Sequence, residues 1–195
     1  MRWYWIDRFI EFESGRYAKA IKNVTAAEAY LHDHFLGYPV LPNTLVMEGL
    51  AQTGGLLVFE HSRYTENPIL AKVPAVRFHG EAVPGDRLTY TATIESVKKE
   101  GARVRATSHN GDRLQAEMEM MFSHFHCEHH TGPLSSPACF LHMMRFLKAF
   151  EVARAPDGSP LLDPSTPAEA RVPAGSPGPP HGEHEEPPRP RVVPR

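Results

Sequence analysis

Apolar residues in this chain recur at two different periods. Between Thr44 and Ser62 they fall nearly all round a helical wheel: Leu45, Val46, Met47, Leu50, Ala51, Leu56, Leu57, Val58 and Phe59. A helix without a polar face belongs inside a fold rather than on its surface. After Asn67-Pro68 the period drops to two. Ile69–His79 reads as a strand, and Val83-Pro84-Gly85-Asp86 as the turn that follows. Leu88, Tyr90, Ala92 and Ile94 then oppose Thr89, Thr91, Thr93 and Glu95, the pattern of a half-buried antiparallel strand. Ala102–His109 and Arg113–Phe122 meet at Asn110-Gly111, a strong hairpin signal. In the second of these, Leu114, Ala116, Met118 and Met120 oppose Gln115, Glu117 and Glu119. Ahead of the helix, Tyr4–Phe12 and Tyr17–Val24 flank the turn Glu13-Ser14-Gly15-Arg16 and predict another hairpin. Thr25-Ala26-Ala27-Glu28 has the form of a capping box opening one helical turn. A sheet with one apolar face needs a cover, and only the long helix can supply it. The expected class is α+β, a curved antiparallel sheet wrapped around a long central apolar helix.

The alternation stops near His124. Residues 1–125 are therefore expected to form one domain and 126–154 a poorly defined segment with room for a short helix, carried by Phe140, Leu141, Met143, Met144, Phe146, Leu147 and Phe150. That apolar group could face the domain, a partner or a lipid surface. His124, His126, Cys127, His129 and His130 crowd together, but no second ligand pair at a regular spacing supports a metal site. A frayed strand end is the better reading. Residues 155–195 hold 12 of the 19 prolines and few large apolar residues beyond Leu161 and Leu162. Such a stretch cannot bury enough surface to offset its ordering entropy, so a disordered tail is expected.

Composition narrows the function. With 41% hydrophobic residues the chain can build a core, and its net charge of −2 without a basic stripe argues against nucleic acid as a partner. No apolar run reaches the roughly 18 residues of a membrane span. The opening Met1-Arg2-Trp3-Tyr4-Trp5-Ile6-Asp7 lacks the apolar core of a secretion signal. Two cysteines, Cys127 and Cys139, are too few for a disulfide scaffold. A soluble, cytoplasmic protein is expected.

The candidate chemistry lies in His34 and Glu48. His34 stands in a loop punctuated by Gly37, Pro39 and Pro42; Glu48 lies in the first turns of the apolar helix. Taken singly, each has an ordinary reading. Glu48 could complement the helix dipole, and His34 could be a hydrogen-bonded loop residue. Their combination on a stiffened loop and a buried helix points further. Imidazole is suited to taking protons near neutral pH, and a carboxyl in an apolar setting to donating one.

Three segments give the chain a family likeness. They are Ile6-Asp7-Arg8 through Ala20-Ile21-Lys22-Asn23-Val24-Thr25, His34-Phe35 through Glu48-Gly49-Leu50-Ala51-Gln52, and Val83-Pro84-Gly85-Asp86. On these, over residues 5–123, the chain resembles the 3-hydroxyacyl-acyl-carrier-protein dehydratases of fatty-acid synthesis, which have the hot-dog fold. The resemblance implies removal of water from a 3-hydroxyacyl thioester to give a trans-2-enoyl thioester, with no metal or organic cofactor. By position, His34 would be the base at C2 and Glu48 the group that helps the C3 hydroxyl leave. The backbone N–H of Asn43 would polarise the thioester carbonyl, and Phe35 and Gly37 would lie against the substrate. The partners implied are an acyl carrier protein bearing a 3-hydroxyacyl chain and further copies of the same chain. These would form a dimer or a trimer of dimers, with the two catalytic residues facing each other across the dimer interface.

The chain also departs from the family pattern. Leu36 replaces a usual proline and Asn43 a usual glycine, although asparagine keeps its N–H and tolerates a left-handed backbone. Phe78-His79-Gly80-Glu81 lacks a basic pair that helps dock the carrier; Arg77, Lys72, Lys98 and Lys99 could substitute. Alternatives are a coenzyme A-linked hydratase, a thioesterase of the same fold, or a non-catalytic acyl-binding module.

Overall fold

The computed structural model describes residues 3–125 and 137–167. The central element is α2, Asn43–His61, within one residue of the expected helix at each end. Val46, Leu50, Leu56, Leu57, Val58 and Phe59 on it are fully buried, as a helix with no polar face must be. The sheet that encloses it runs β3 (Asn67–Phe78), β6 (Arg113–Phe125), β5 (Gly101–Asn110), β4 (Arg87–Lys98), β2 (Tyr17–Asn23), β1 (Arg8–Glu13), β7 (Ala153–Arg154). All neighbouring strands are antiparallel except β1 and β7. Leu88, Tyr90 and Ala92 of β4, Val104 and Ala106 of β5, and Ala116, Met118 and Met120 of β6 are buried, as their alternation predicts. This is the hot-dog arrangement.

Close approach of helix and sheet depends on missing side chains. A Cβ on Gly49 would sit 2.4 Å from the Tyr90 ring and 2.9 Å from the Trp5 carbonyl oxygen. Gly54 and Gly55 face Val104, Met120 and Phe122 in the same way, at 3.1–3.3 Å. The three glycines let α2 lie directly on the rings and methyls of the sheet.

The first strand begins later than expected. β1 opens at Arg8, although the Asp7 N–H already donates to Ile21 O (2.7 Å); upstream, the Trp5 N–H donates to the Gln52 side chain on α2 (2.9 Å). The helical turn predicted from the capping box is also displaced. The Thr25 N–H does donate to Glu28, but α1 spans only Tyr30–Asp33, because the Glu28 carboxylate also holds Lys22 at 2.7 Å and accepts from Tyr30.

Described elements continue past residue 125. Helix α3 is Pro137–Phe146 and α4 is Ala149–Val152. Met144, Leu147, Ala149 and Ala153 are fully buried, so this segment packs on the domain. It lines the β1 edge: the Phe9 N–H donates to Leu147 O, and the Ser14 N–H to Arg154 O, each at 2.8 Å. The compact unit extends to Asp163, and a second unit comprises Pro164–Arg195. Of the tail expected from residue 155, residues 155–161 turn back so that the Leu161 N–H donates to Ala153 O; residues 168–195 lie outside the described residues. So do His126, Cys127, His129 and His130. His124 Nδ1 is 2.7 Å from the Glu66 carboxylate.

The most deeply buried carboxylate on α2 is Glu60, only 5% exposed. It accepts from the Ser14 hydroxyl (2.8 Å) and the Gly15 N–H (3.2 Å), fastening the β1–β2 turn to the helix end. Burial raises its pKa, opposed by those two hydrogen bonds and by His61. A raised carboxyl contributes stability in its protonated form, which is lost as pH rises through the folded value. Glu60→Gln is therefore expected to gain stability over wild type at pH 7–8, with the difference vanishing toward pH 4, as thermal melts across pH would show. Gly49→Ala is expected to lower stability by roughly 1–3 kcal/mol through overpacking on Tyr90, read as a reduced urea midpoint.

Candidate active site

His34 is placed by the polar cluster beneath α1. Lys22, almost wholly buried, donates to Glu28 and to the Asn23 carbonyl oxygen (2.8 Å). Burial pushes the Glu28 carboxyl up, but the bonds from Lys22 and Tyr30 hold it below the usual carboxylate range. Burial, then the bond to Glu28, drives the Tyr30 hydroxyl far above its ordinary value. The base of α1 is thereby fixed as an ionic and hydrogen-bonded unit. Its last turn ends at His34, whose N–H donates to Tyr30 O (3.0 Å).

The His34 ring is half-buried and stacks on Phe35 with centroids 4.3 Å apart. The loop then closes on itself: the Phe35 and Tyr38 N–H groups donate to each other's carbonyl oxygens at 3.0 and 2.8 Å. Gly37 has φ +77°, a conformation that excludes most side chains. Tyr38 donates its hydroxyl hydrogen to Glu81, which raises the Tyr38 pKa. Phe35, Leu36 and Tyr38 project into solvent, Leu36 with 93% of its surface exposed. Three large apolar side chains on one short loop form an uncovered patch beside the histidine. Beyond them Val40 and Leu41 are buried, and the Leu41 N–H donates to Ala82 O (2.8 Å), tying the loop to the sheet.

Pro42 then starts α2. Asn43 is exposed at its first turn, where backbone N–H groups lack intrahelical acceptors and point toward any nearby anion or carbonyl.

Glu48 is half-buried rather than enclosed. Its Oε1 accepts from Gln52 Nε2 (2.9 Å), one turn later. The same Nε2 donates to Trp3 O (2.8 Å), while Gln52 Oε1 accepts from the Trp5 N–H. Gln52 therefore links the carboxylate to the chain's opening segment. Glu48 opens into a cleft of about 710 Å³ whose walls are otherwise mainly apolar: Ala51, Gly55 and Leu56 of α2, Leu70 of β3, Phe122 of β6, and Phe140 and Met143 of α3. An ionisable group in the wall of an apolar cleft of this size is the usual form of a small-molecule site.

The structure thus brings His34, Phe35 and Gly37 into one turn and sets Glu48 in a cleft that His34, within the same chain, does not line. Sequence reasoning gave no role to Gln52 or to the α3 residues in the cleft wall. The i, i+4 spacing of Glu48 and Gln52 was the available signal for the first. Among the described residues no three His, Cys, Asp or Glu side chains converge as a metal ligand set, and no helix is long and apolar enough to cross a membrane.

Residues 3–119 match the FabA-like domain. A 3-hydroxyacyl-acyl-carrier-protein dehydratase of Pelotomaculum thermopropionicum is 34% identical over 119 residues, 60% of this chain and 85% of the relative. The enzyme of the same name from Pseudothermotoga lettingae is 42% identical over 101 residues, 52% of this chain and 71% of the relative. Among solved structures, a conserved protein of Pseudomonas aeruginosa superposes with TM-score 0.52 at 15% identity, over 60% of this chain and 87% of its own. An acetyl-CoA-bound protein of Streptococcus mutans gives TM-score 0.52 at 12% identity, over 64% and 93%. Those two likenesses concern the fold. The domain match, residues 3–119, runs from the opening hairpin through the His34 loop and Glu48 into β6, and by it and these relatives this chain belongs to the family of 3-hydroxyacyl-acyl-carrier-protein dehydratases.

Proposed function

We propose that this protein removes water from 3-hydroxyacyl thioesters carried by acyl carrier protein, at sites pairing His34 of one subunit with Glu48 of another. The observation that carries this reading is the Glu48 carboxylate, held by Gln52 in the wall of an apolar cleft.

The roles follow from the chemistry of the substrate. His34 takes the C2 proton, and the electron pair forms the C2–C3 double bond as the C3–O bond breaks. Glu48 hands a proton to the departing hydroxyl, which leaves as water. Return of the proton from His34 to Glu48 through solvent resets both groups. Charge developing on the thioester oxygen is met by the N–H of Asn43 at the positive end of α2, and one such donor is worth about 2.7–4 kcal/mol in well-measured enzymes. Phe35, stacked on His34, and Gly37, whose Cβ position is open, border the thioester.

Two surfaces support assembly. Strand β3 is the terminal strand of the sheet and exposes Ile69, Leu70 and Val76. An unpaired apolar edge is a template for strand pairing between copies. The second surface is the Phe35-Leu36-Tyr38 patch, which a partner would cover. A dimer or trimer of dimers meets both needs. For the carrier, Lys72 and Lys98 join Arg103 around a concavity of about 620 Å³ at the sheet, whereas Arg77 is bridged to Glu117 (3.0 Å).

Purified protein is expected to form the conjugated enoyl chromophore from 3-hydroxyacyl carrier protein. His34→Ala and Glu48→Gln should each lose about 10²–10⁴-fold in rate while remaining folded. Release of free thiol would instead indicate a thioesterase, and acyl binding without turnover a binding module. Mixing the two inactive variants should restore up to about a quarter of wild-type activity through hybrid dimers with one intact site; no recovery on mixing would refute the shared site. Gln52→Ala should lower kcat by roughly 10–100-fold by freeing the Glu48 carboxylate, with a smaller change in KM.

A further inference from the structure

Helix α3 lies outside residues 3–119, the segment matched by the family domain, yet it forms one wall of the cleft that holds Glu48. Resting on the reading above, we propose that α3 determines acyl-chain specificity: Phe140 and Met143 form the end wall that limits how long a chain can extend from Glu48.

Three observations carry this. The first is placement. Glu48 stands on α2 at one side of the cleft, and Phe140 and Met143, one turn apart on α3, stand in its wall with Gly55, Leu70 and Phe122. Gly55 has no side chain, so that stretch of the cleft is backbone and the Phe122 ring, which a Cβ there would meet at 3.3 Å. A chain whose reacting C2 and C3 lie at Glu48 must run along this apolar surface.

The second is rigidity. Phe140 packs on Phe59 of α2 with centroids 5.1 Å apart, and Phe146 stacks on Tyr4 at 4.7 Å. Met144 and Leu147 are fully buried, and the Leu147 carbonyl is held by the Phe9 N–H. Arg145 is bound through two nitrogens to Asp163. A wall fixed at so many points does not yield to a longer substrate.

The third is chemistry. The α3 residues in the cleft are chiefly Ala138, Phe140 and Met143, which present carbon and sulfur to a methylene chain, with His142 and Cys139 beside them. One methylene more or less in such a pocket changes kcat/KM by roughly 10–200-fold.

The test uses the full chain and saturated and 3-hydroxyacyl pantetheine thioesters of graded length. Turnover is read by enoyl absorbance, and binding of the saturated series by quenching of the tryptophan fluorescence, Trp3 being in the cleft wall. Wild type is expected to show a cut-off in kcat/KM with length. Met143→Ala and Phe140→Ala should move the cut-off to longer chains, with KM for the first excluded length falling about tenfold. Met143→Trp should move it to shorter ones, which keeps the test decisive if Phe140→Ala does not fold. Glu151→Ala, on the exposed side of α4, is the control and should leave the cut-off in place. Turnover with a cut-off that none of the α3 variants moves would overturn the inference and leave the dehydratase reading standing. No turnover, with a binding cut-off that moves with Met143, would uphold the wall and overturn the dehydratase reading. Binding that ignores both chain length and Met143 would overturn the wall.

Discussion

The structure depends on the enclosure of the apolar body of α2, from Val46 to Phe59. A helix apolar around its whole circumference has no side that can face water, so the sheet must curve until it meets the helix on several faces. Distance sets the next requirement. Gly49 against Tyr90, and Gly54 and Gly55 against Val104, Met120 and Phe122, bring the backbone of α2 into direct contact with the sheet's inner side chains. The fit is close enough that one methyl group at Gly49 would overlap a fully buried ring. Protein interiors at that density transmit such a clash rather than absorb it.

Polar groups on α2 are tolerated only where something answers them, and two glutamates show the two answers. They are 12 residues apart, about 18 Å along the axis. Glu60 is closed in by the Ser14 hydroxyl and the Gly15 N–H and serves to fasten the first hairpin to the helix end. Glu48 receives one bond from Gln52 and otherwise opens into the apolar cleft. Enclosure gives the first a structural task. The open side of the second is what suits it to meet a substrate. The same helix also offers its N-terminal N–H groups near Asn43, so under the proposed roles the proton donor and the oxyanion donor would be carried on one rigid element.

Around this frame the chain adds a segment of its own. Residues from Pro137 to Asp163 cover the β1 edge, insert Met144 and Leu147 into the core, and present Phe140 and Met143 to the cleft. A helix anchored on the domain in this way shapes the cleft without displacing Glu48. At the opposite end of the sheet, β3 is the terminal strand among the described residues and exposes Ile69, Leu70 and Val76.

The sequence by itself determined the parts that rest on local periodicity. The limits of α2 and the inward faces of β4, β5 and β6 could be read from spacing, because burial on one face or on all faces leaves a periodic trace; His34 and Glu48 were nominated by residue type, setting and family resemblance, which leave no such period. Tertiary structure decided the rest. The segment before β1 leaves the sheet at Trp5 because Gln52, far along the chain, takes the Trp5 N–H. α1 is short because Glu28 is shared among Thr25, Lys22 and Tyr30. The two-residue strand β7 and the seat of α3 have no period to detect, since each is held by contacts to β1 and α2 more than a hundred residues earlier for β7 and about eighty for Phe140 on Phe59. The cleft around Glu48 is likewise made by residues from five separate stretches of chain. Residue type and setting can nominate a carboxylate; only folding supplies the walls of the cleft around it.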